Sequence, residues 1–249
     1  MRPEPAPQVP DPVAEIRASM RDCPTHGRPL VTLTYAQSLD GSISYRPDAP
    51  LTLSGPETKH LTHRLRAAHD AILVGVGTVL ADDPKLTARR VGGPHPSLPV
   101  VLDSHLRTPP TARVLRHPRG CLLATTPEAP QEREAALRAQ GARMVRLPRD
   151  GEGVSLPALL AWLYEEGVRS LMVEGGRRVL TAFLKAGLVD WVLLTIVPYF
   201  VGGVPAIAPL PPREPHPQSV EAFPGLSPDW KVTRLGRDLV LWGRMAGAQ

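Results

Sequence analysis

Apolar positions along this chain follow two rhythms. "DAILVGV" (70–76), "LPVVLDS" (98–104), "GCLLATT" (120–126), "VRSLMVE" (168–174) and "DWVLLTIVP" (190–198) are short, almost continuous apolar runs, the pattern of strands covered on both faces. "LVTLTYA" (30–36) is β-branched and partly alternating, and "ARMVRL" (142–147) predicts a further short strand. Between them the spacing turns helical. Residues 55–68 place Leu61, Leu65 and Ala68 on one face, and Ser54 stands three residues before Glu57, which predicts a capping box with proline in the first turn. Residues 131–140, 156–167 and 177–187 predict three more helices, each stopped by glycine. "WKVTRL" and "DLVLWGRM" around Gly236-Arg237 read as a closing hairpin, and the proline-laden stretch 211–218 as a loop.

Strands alternating with helices predict an α/β fold with helices on both faces of one sheet, and the hairpin makes that sheet mixed, mostly parallel with an antiparallel edge. Residues 1–27 are a proline-rich extension with one short helical possibility, Val13 to Met20, ordered where it docks. Residues 28–246 form the main domain.

Composition narrows the function classes. A chain of 249 residues with 42% hydrophobic residues can bury a full core. Its net charge of +5 is scattered, with no run of like charges to bind nucleic acid, and aromatics total only 4%, too few for a base-stacking platform. A mild basic excess suits an anionic small molecule. Cys23 and Cys121 are the only cysteines, so neither a disulfide scaffold nor a cysteine metal site is expected. No stretch resembles a signal peptide or a membrane span, which predicts a cytoplasmic protein with no membrane partner.

Glycine-rich corners follow two strands. The first, "GVGTVLADDPKLTARR" (75–90), opens like a dinucleotide fingerprint, but Leu80 holds the third glycine position and no acid closes a strand about 20 residues on. What remains is Thr78, then Asp82, placed to accept from an amide or hydroxyl, then Arg89, whose planar fork suits a phosphate; Asp-Asp-Pro is also simply a good turn. The second is "SLMVEGGRRVL" (170–180). Gly175 and Gly176 let a phosphate or ribose approach the backbone, the following helix start favours an anion, and Arg177 reinforces the sign. Glu174 lies at the strand's carboxyl end, where open α/β sheets bind ligands. His60 and His63 stand at i and i+3 on a helix, but with no third ligand beside them they read as a solvated face, and no metal is predicted. Asp40 ends the first strand in an Asp-Gly turn. Neither a G-x-S-x-G elbow nor the zinc-deaminase signature occurs.

The blocks "YAQSLDG", "RLRAAHDAILVGVGTVLADDPKLTAR", "VVLDSHLRTP", "SLMVEGGRRVLTAFLKAGLVDWV" and "VPYFVGG", in this order, resemble the pyrimidine reductase of riboflavin biosynthesis, the C-terminal half of the bifunctional deaminase–reductase. The chain looks like a stand-alone form of it. The resemblance implies a dihydrofolate reductase-like α/β/α fold, NADPH as cofactor, a phosphoribosylamino-pyrimidine as substrate and a homodimer. Carried over by position, it implies that Thr78, Asp82, Ser104 and the turn from Gly176 onward contact NADPH. Leu86, Arg89 and Glu174 would hold the substrate, with Ser54 the one residue retained from the block ahead of the first helix. The reaction implied is hydride transfer to the sugar's C1′, with water or Asp40 as proton donor. Two other readings remain open: a dihydrofolate or pteridine reductase, which has no need of a phosphate-gripping Arg89, and a non-catalytic nucleotide-binding subunit, which has no need of Thr78, Asp82, Arg89 and Glu174 together.

Overall fold

The computed structural model describes residues 10–22, 27–47, 49–89, 91, 97–151, 153–212 and 218–247. Cys23, Arg90 and most of the loop at 211–218 lie outside these residues. The apolar runs become strands β1 (Leu30–Ser38), β3 (Ala71–Gly75), β4 (Leu98–Leu102), β5 (Cys121–Thr125), β6 (Ala142–Arg146), β9 (Ser170–Glu174) and β10 (Trp191–Val197), and the hairpin becomes β12 (Lys231–Leu235) and β13 (Asp238–Arg244). Short pieces complete the set: β2 (Ser42–Ser44) pairs with β11 (Val204–Pro205), and β7 (Arg149–Asp150) with β8 (Gly153–Val154). The helices are α1 (Pro12–Asp22), α2 (Pro56–Ala68), α3 (Val76–Asp82), α4 (Gln131–Arg138), α5 (Leu156–Glu165) and α6 (Arg177–Lys185).

Among the described residues one nine-stranded sheet runs in the order β12-β13-β10-β1-β9-β3-β4-β5-β6, parallel from β10 to β6 and antiparallel at the hairpin. Strand side chains alternate between two cores. On β3, Ile72 and Val74 pack with Leu61 and Leu65 of α2 and Val79 of α3. Ala71 and Leu73 point the other way, to Leu159, Leu160 and Leu163 of α5 and Leu180 and Phe183 of α6. Burial on both faces explains why these strands read as continuous apolar runs. The α/β/α fold of mixed, mostly parallel sheet is as the pattern predicts. No helix of the described residues is long and apolar enough to cross a membrane.

One local expectation is corrected and two are sharpened. Ser54 does not cap α2. The N-cap is Gly55, and the helix start is held from the hairpin: buried Asp238 accepts the Gly55 N–H at 2.8 Å and the Thr58 hydroxyl at 2.6 Å. A long-range carboxylate therefore ties the start of α2 to the hairpin, while no side chain caps its first amides. The corner after β3 folds as the short helix α3, with Gly75 as N-cap. The N-terminal helix extends to Pro12–Asp22 and is built into the body: Val13 and Ile16 are buried, and Ser19 and Glu15 accept the indole N–H groups of Trp191 and Trp242 at 3.0 and 3.2 Å.

Candidate active site

The order β9-β3-β4 lays three strand ends side by side, and each carries a predicted site residue. β9 ends in Glu174 and turns through Gly175 and Gly176, both at positive φ (42° and 88°), into α6. β3 ends in Gly75 and passes into α3, which presents Thr78 and, one turn on, Asp82. Ser104 sits in the turn after β4, its carbonyl accepting the Thr125 and Thr126 hydroxyls at 3.2 and 2.9 Å.

The two glycine corners face each other. The Thr78 hydroxyl donates to the Gly175 carbonyl at 3.3 Å, and a Cβ on Gly176 would lie 3.0 Å from the Thr78 oxygen. A Cβ on Gly75 would meet Val179 of α6 at 2.8 Å, so glycine there lets α6 close on β3. The N-cap of α6 is glycine and supplies no side-chain hydrogen bond, leaving its first amides uncapped by any side chain. Beside them the Nε of Arg177 is buried without a hydrogen-bond partner. A buried, unpaired guanidinium nitrogen at an uncapped helix start is the donor set of an anion site. The residues present thus fit the phosphates of a nicotinamide dinucleotide. Asp82 is exposed, yet partial burial of its carboxyl raises its pKa.

Glu174 points to the opposite side of this turn, into the α2 layer, where it meets a residue the sequence reading missed. Arg66 of α2 grips it with both forks, Nε to Oε1 at 2.6 Å and Nη2 to Oε2 at 2.5 Å, each side chain 15% exposed. Its third nitrogen, Nη1, donates to the Thr87 carbonyl at 3.1 Å. Burial opposes the charge on Arg66, but the adjacent carboxylate outweighs it, and the guanidinium's pKa is raised. His63, one turn earlier on α2, accepts the Arg89 main-chain N–H on Nδ1 at 3.3 Å. Burial first, then the charges of Arg66 and Arg89, lower the pKa of His63. Glu174, Arg66, His63 and the segment 87–89 thus form one cluster. The signal for Arg66 was present: an arginine one position after Leu65, beside the apolar face of α2.

The remaining predicted residues fare differently. Leu86 is 2% exposed, with φ at +50°, so its side chain belongs to the core and only its main chain can face a ligand. A substrate contact at Leu86 is therefore one of its main chain. Ser54 lies before the far end of α2, whose first turn at Pro56 is already roughly 15 Å along the axis from Arg66, and is not brought into contact with the cluster. Asp83 is committed to the Arg113 N–H at 2.7 Å. Asp40 is corrected as a proton donor. Its carboxylate accepts Ser42 Oγ at 2.6 Å, Ser38 Oγ at 2.7 Å and the N–H groups of Val201 and Gly202 at 2.9 Å each. These bonds, the serines' foremost, hold its pKa far below the usual carboxylate range, so no proton is there to give near neutrality. Asp40 instead clasps the turn after β1 to the loop after β10.

A mixed, mostly parallel sheet covered on both faces, with glycine corners and a carboxylate–guanidinium pair at its carboxyl strand ends, is an α/β fold of the kind that binds ligands at those ends. The profile of the RibD C-terminal domain matches residues 29–225, and the chain belongs to that family. It is 40% identical to the 2,5-diamino-6-ribosylamino-4(3H)-pyrimidinone 5′-phosphate reductase of Archaeoglobus fulgidus over 186 residues, 71% of this chain and 83% of the relative. It is 42% identical to the enzyme of the same name from Methanothermobacter thermautotrophicus, over 71% of this chain and 81% of that one. Among solved structures, the Saccharomyces riboflavin biosynthesis reductase Rib7 superposes with a TM-score of 0.69 at 30% identity, covering 90% of this chain and 93% of that one. Acinetobacter baumannii RibD shares the fold, with a TM-score of 0.74 at 22% identity, the match spanning 94% of this chain and 62% of RibD.

Proposed function

We propose that this protein is an NADPH-dependent reductase of riboflavin biosynthesis that converts the ribosyl group of a phosphoribosylamino-pyrimidine into the ribityl group. The observation that carries the reading is the turn at residues 174–177. On one side it offers glycine amides and the unpaired Nε of Arg177 to an anion. On the other it holds a carboxylate fixed by Arg66. The names of the archaeal relatives support the 2,5-diamino compound over 5-amino-6-(5-phosphoribosylamino)uracil.

In this reading Thr78, Asp82, Ser104, Gly175, Gly176 and Arg177 hold NADPH. When bound, the cofactor supplies the hydride that ends on the sugar's C1′. Thr78 fixes the Gly175 carbonyl and keeps the glycine turn open. Arg66 aims Glu174, whose oxygens each retain a lone pair to accept from a ribose hydroxyl or ring N–H. Arg89 is exposed beside this cluster and takes the phosphate. A missing ribose-binding acid and the basic turn favour NADPH over NADH. A cytoplasmic site suits both this cofactor and the free thiol of Cys121.

We also infer a homodimer. On the same face of the sheet as α5 and α6, out on the hairpin edge, Val232 and Leu239 are 52% and 43% exposed, and cross-strand neighbours Leu241, Leu194 and Ile196 extend the patch. A second copy of this chain covers it. Light scattering on Leu239→Asp should report the monomer, and a monomeric wild type would remove the inference. Kinetics with the 5′-phosphate and its dephosphorylated form test the main reading: the phosphate should lower KM by about one to two orders of magnitude, as a charged bidentate contact implies. Equal KM values would set it aside.

A further inference from the structure

The segment from Leu86 to Arg89 crosses in front of α2 and is pinned at three points. Leu86 is anchored in the core at 2% exposure. The Thr87 carbonyl is held by Arg66 at 3.1 Å. The Arg89 main-chain N–H is held by His63 Nδ1 at 3.3 Å. The first two points fix the segment's start, and among the described residues His63 fixes the end that carries the Arg89 side chain. That guanidinium has no protein partner among the described residues, so its direction follows from its main chain. His63 itself is half-buried, and the charged groups facing it are Arg66 from its own helix, Arg89 from the segment and Glu174 from β9.

We propose that His63 is a positioning residue for substrate binding, its neutral Nδ1 holding the Arg89 amide so that the Arg89 guanidinium is directed at the substrate's phosphate. This rests on the reading of Arg89 given above. Accepting an N–H requires Nδ1 to be unprotonated. Protonation would set an N–H against an N–H and add a third positive charge beside Arg66 and Arg89. Burial and the charges of Arg66 and Arg89, outweighing the Thr87 main chain and Glu174, lower the pKa of His63 and favour this neutral form. The contact is therefore lost only as pH falls through that depressed value.

The test pairs His63→Ala, which removes the acceptor, with His63→Asn, whose amide oxygen replaces Nδ1. His63→Ala should raise the KM for the phosphorylated substrate about three- to tenfold, the range of one hydrogen bond. It should leave kcat and NADPH affinity within about twofold, and His63→Asn should recover most of the loss. In acid, KM should rise in the wild type along a limb that His63→Asn lacks, while the ionisation of the substrate's own phosphate stays common to both. Hydrogen exchange of the Arg89 amide reads the contact without turnover, and should be slow in the wild type and His63→Asn but fast in His63→Ala. Equal exchange in all three, or faster exchange in His63→Ala with an unchanged KM, overturns the proposal. Arg89→Ala separates the underlying assignment. If exchange responds to His63 but Arg89→Ala leaves KM unchanged, it is the phosphate role of Arg89 that fails, and the proposal fails with it.

Discussion

Glu174→Gln probes the join between the two halves of the site. The substitution preserves shape but exchanges one acceptor oxygen for an NH2 group facing Arg66 Nη2, where the wild type has a 2.5 Å bond. One of the two forks is lost, and the Arg66 charge, 15% exposed, is left without a counter-ion. Removing one partner of a fully buried pair costs about 3–5 kcal/mol. The residual exposure and the surviving Nε contact bring the expected loss to about 1.5–3 kcal/mol. In a chain of this size that corresponds to a fall in melting temperature of roughly 3–12 °C. Because Arg66 also holds the Thr87 carbonyl, the loosened guanidinium should carry the segment 87–89 with it. Denaturant titration measures the stability loss, steady-state kinetics the substrate KM, and NADPH fluorescence titration the cofactor affinity. KM should rise about tenfold or more, while NADPH affinity stays within a factor of two or so. The additional loss in Arg66→Gln/Glu174→Gln should be far below the sum of the two single losses, since both remove one interaction. A Glu174→Gln protein as stable as the wild type with unchanged KM would refute the role given to the pair. One that lost NADPH but still bound the pyrimidine would place Glu174 on the cofactor.

Three further outcomes follow from named groups. His69 is buried between the Leu65 carbonyl and the Thr32 hydroxyl, and burial pushes its pKa down to about 4. A folded pKa below the unfolded value near 6.5 means the unfolded chain binds the extra proton, so stability is full above pH 6.5 and falls towards pH 4, by up to about 3 kcal/mol. Urea midpoints across that window should flatten in His69→Gln, and an unchanged slope would contradict the assignment. Asp40→Asn should leave the pH profile of kcat unshifted, because Asp40 is a clasp; a folded, substrate-binding but inert variant would restore it as proton donor. Removing residues 1–27 strips Val13 and Ile16 from the core, costing about 1.5–3 kcal/mol for each buried side chain, and bares the indoles of Trp191 and Trp242. Calorimetry should show a markedly lower melting temperature, whereas an unaltered one would make α1 dispensable.

What was legible in the chain was whatever local periodicity controls. The strands at 71–75, 98–102, 121–125 and 170–174 are apolar because both faces are covered, and that leaves a signature in sequence. The α/β/α fold followed, as did the two glycine corners and Glu174. Contacts made across long sequence separations were not legible. Asp238 holds the start of α2 from 183 residues away from Gly55, so the nearby Ser54 looked like the residue that did so. Arg66 reaches Glu174 across 108 residues, and an arginine on a helix ordinarily reads as solvated. His63 was set aside for the same reason, because its partner is a main-chain amide 26 residues on. Asp40 was misjudged because its four hydrogen bonds converge only once the turn after β1 meets the loop after β10.

The central claim is the reaction itself. The most direct measurement is NADPH oxidation by the purified protein with 2,5-diamino-6-ribosylamino-4(3H)-pyrimidinone 5′-phosphate and, in parallel, with the deaminated uracil analogue and with dihydrofolate. Mass spectrometry of each product follows. The account predicts consumption of NADPH with a phosphoribosylamino-pyrimidine, a product two hydrogens heavier in its sugar chain, and no turnover of dihydrofolate. Oxidation of NADPH by dihydrofolate alone, or by none of the three in a protein that binds NADPH, would contradict it.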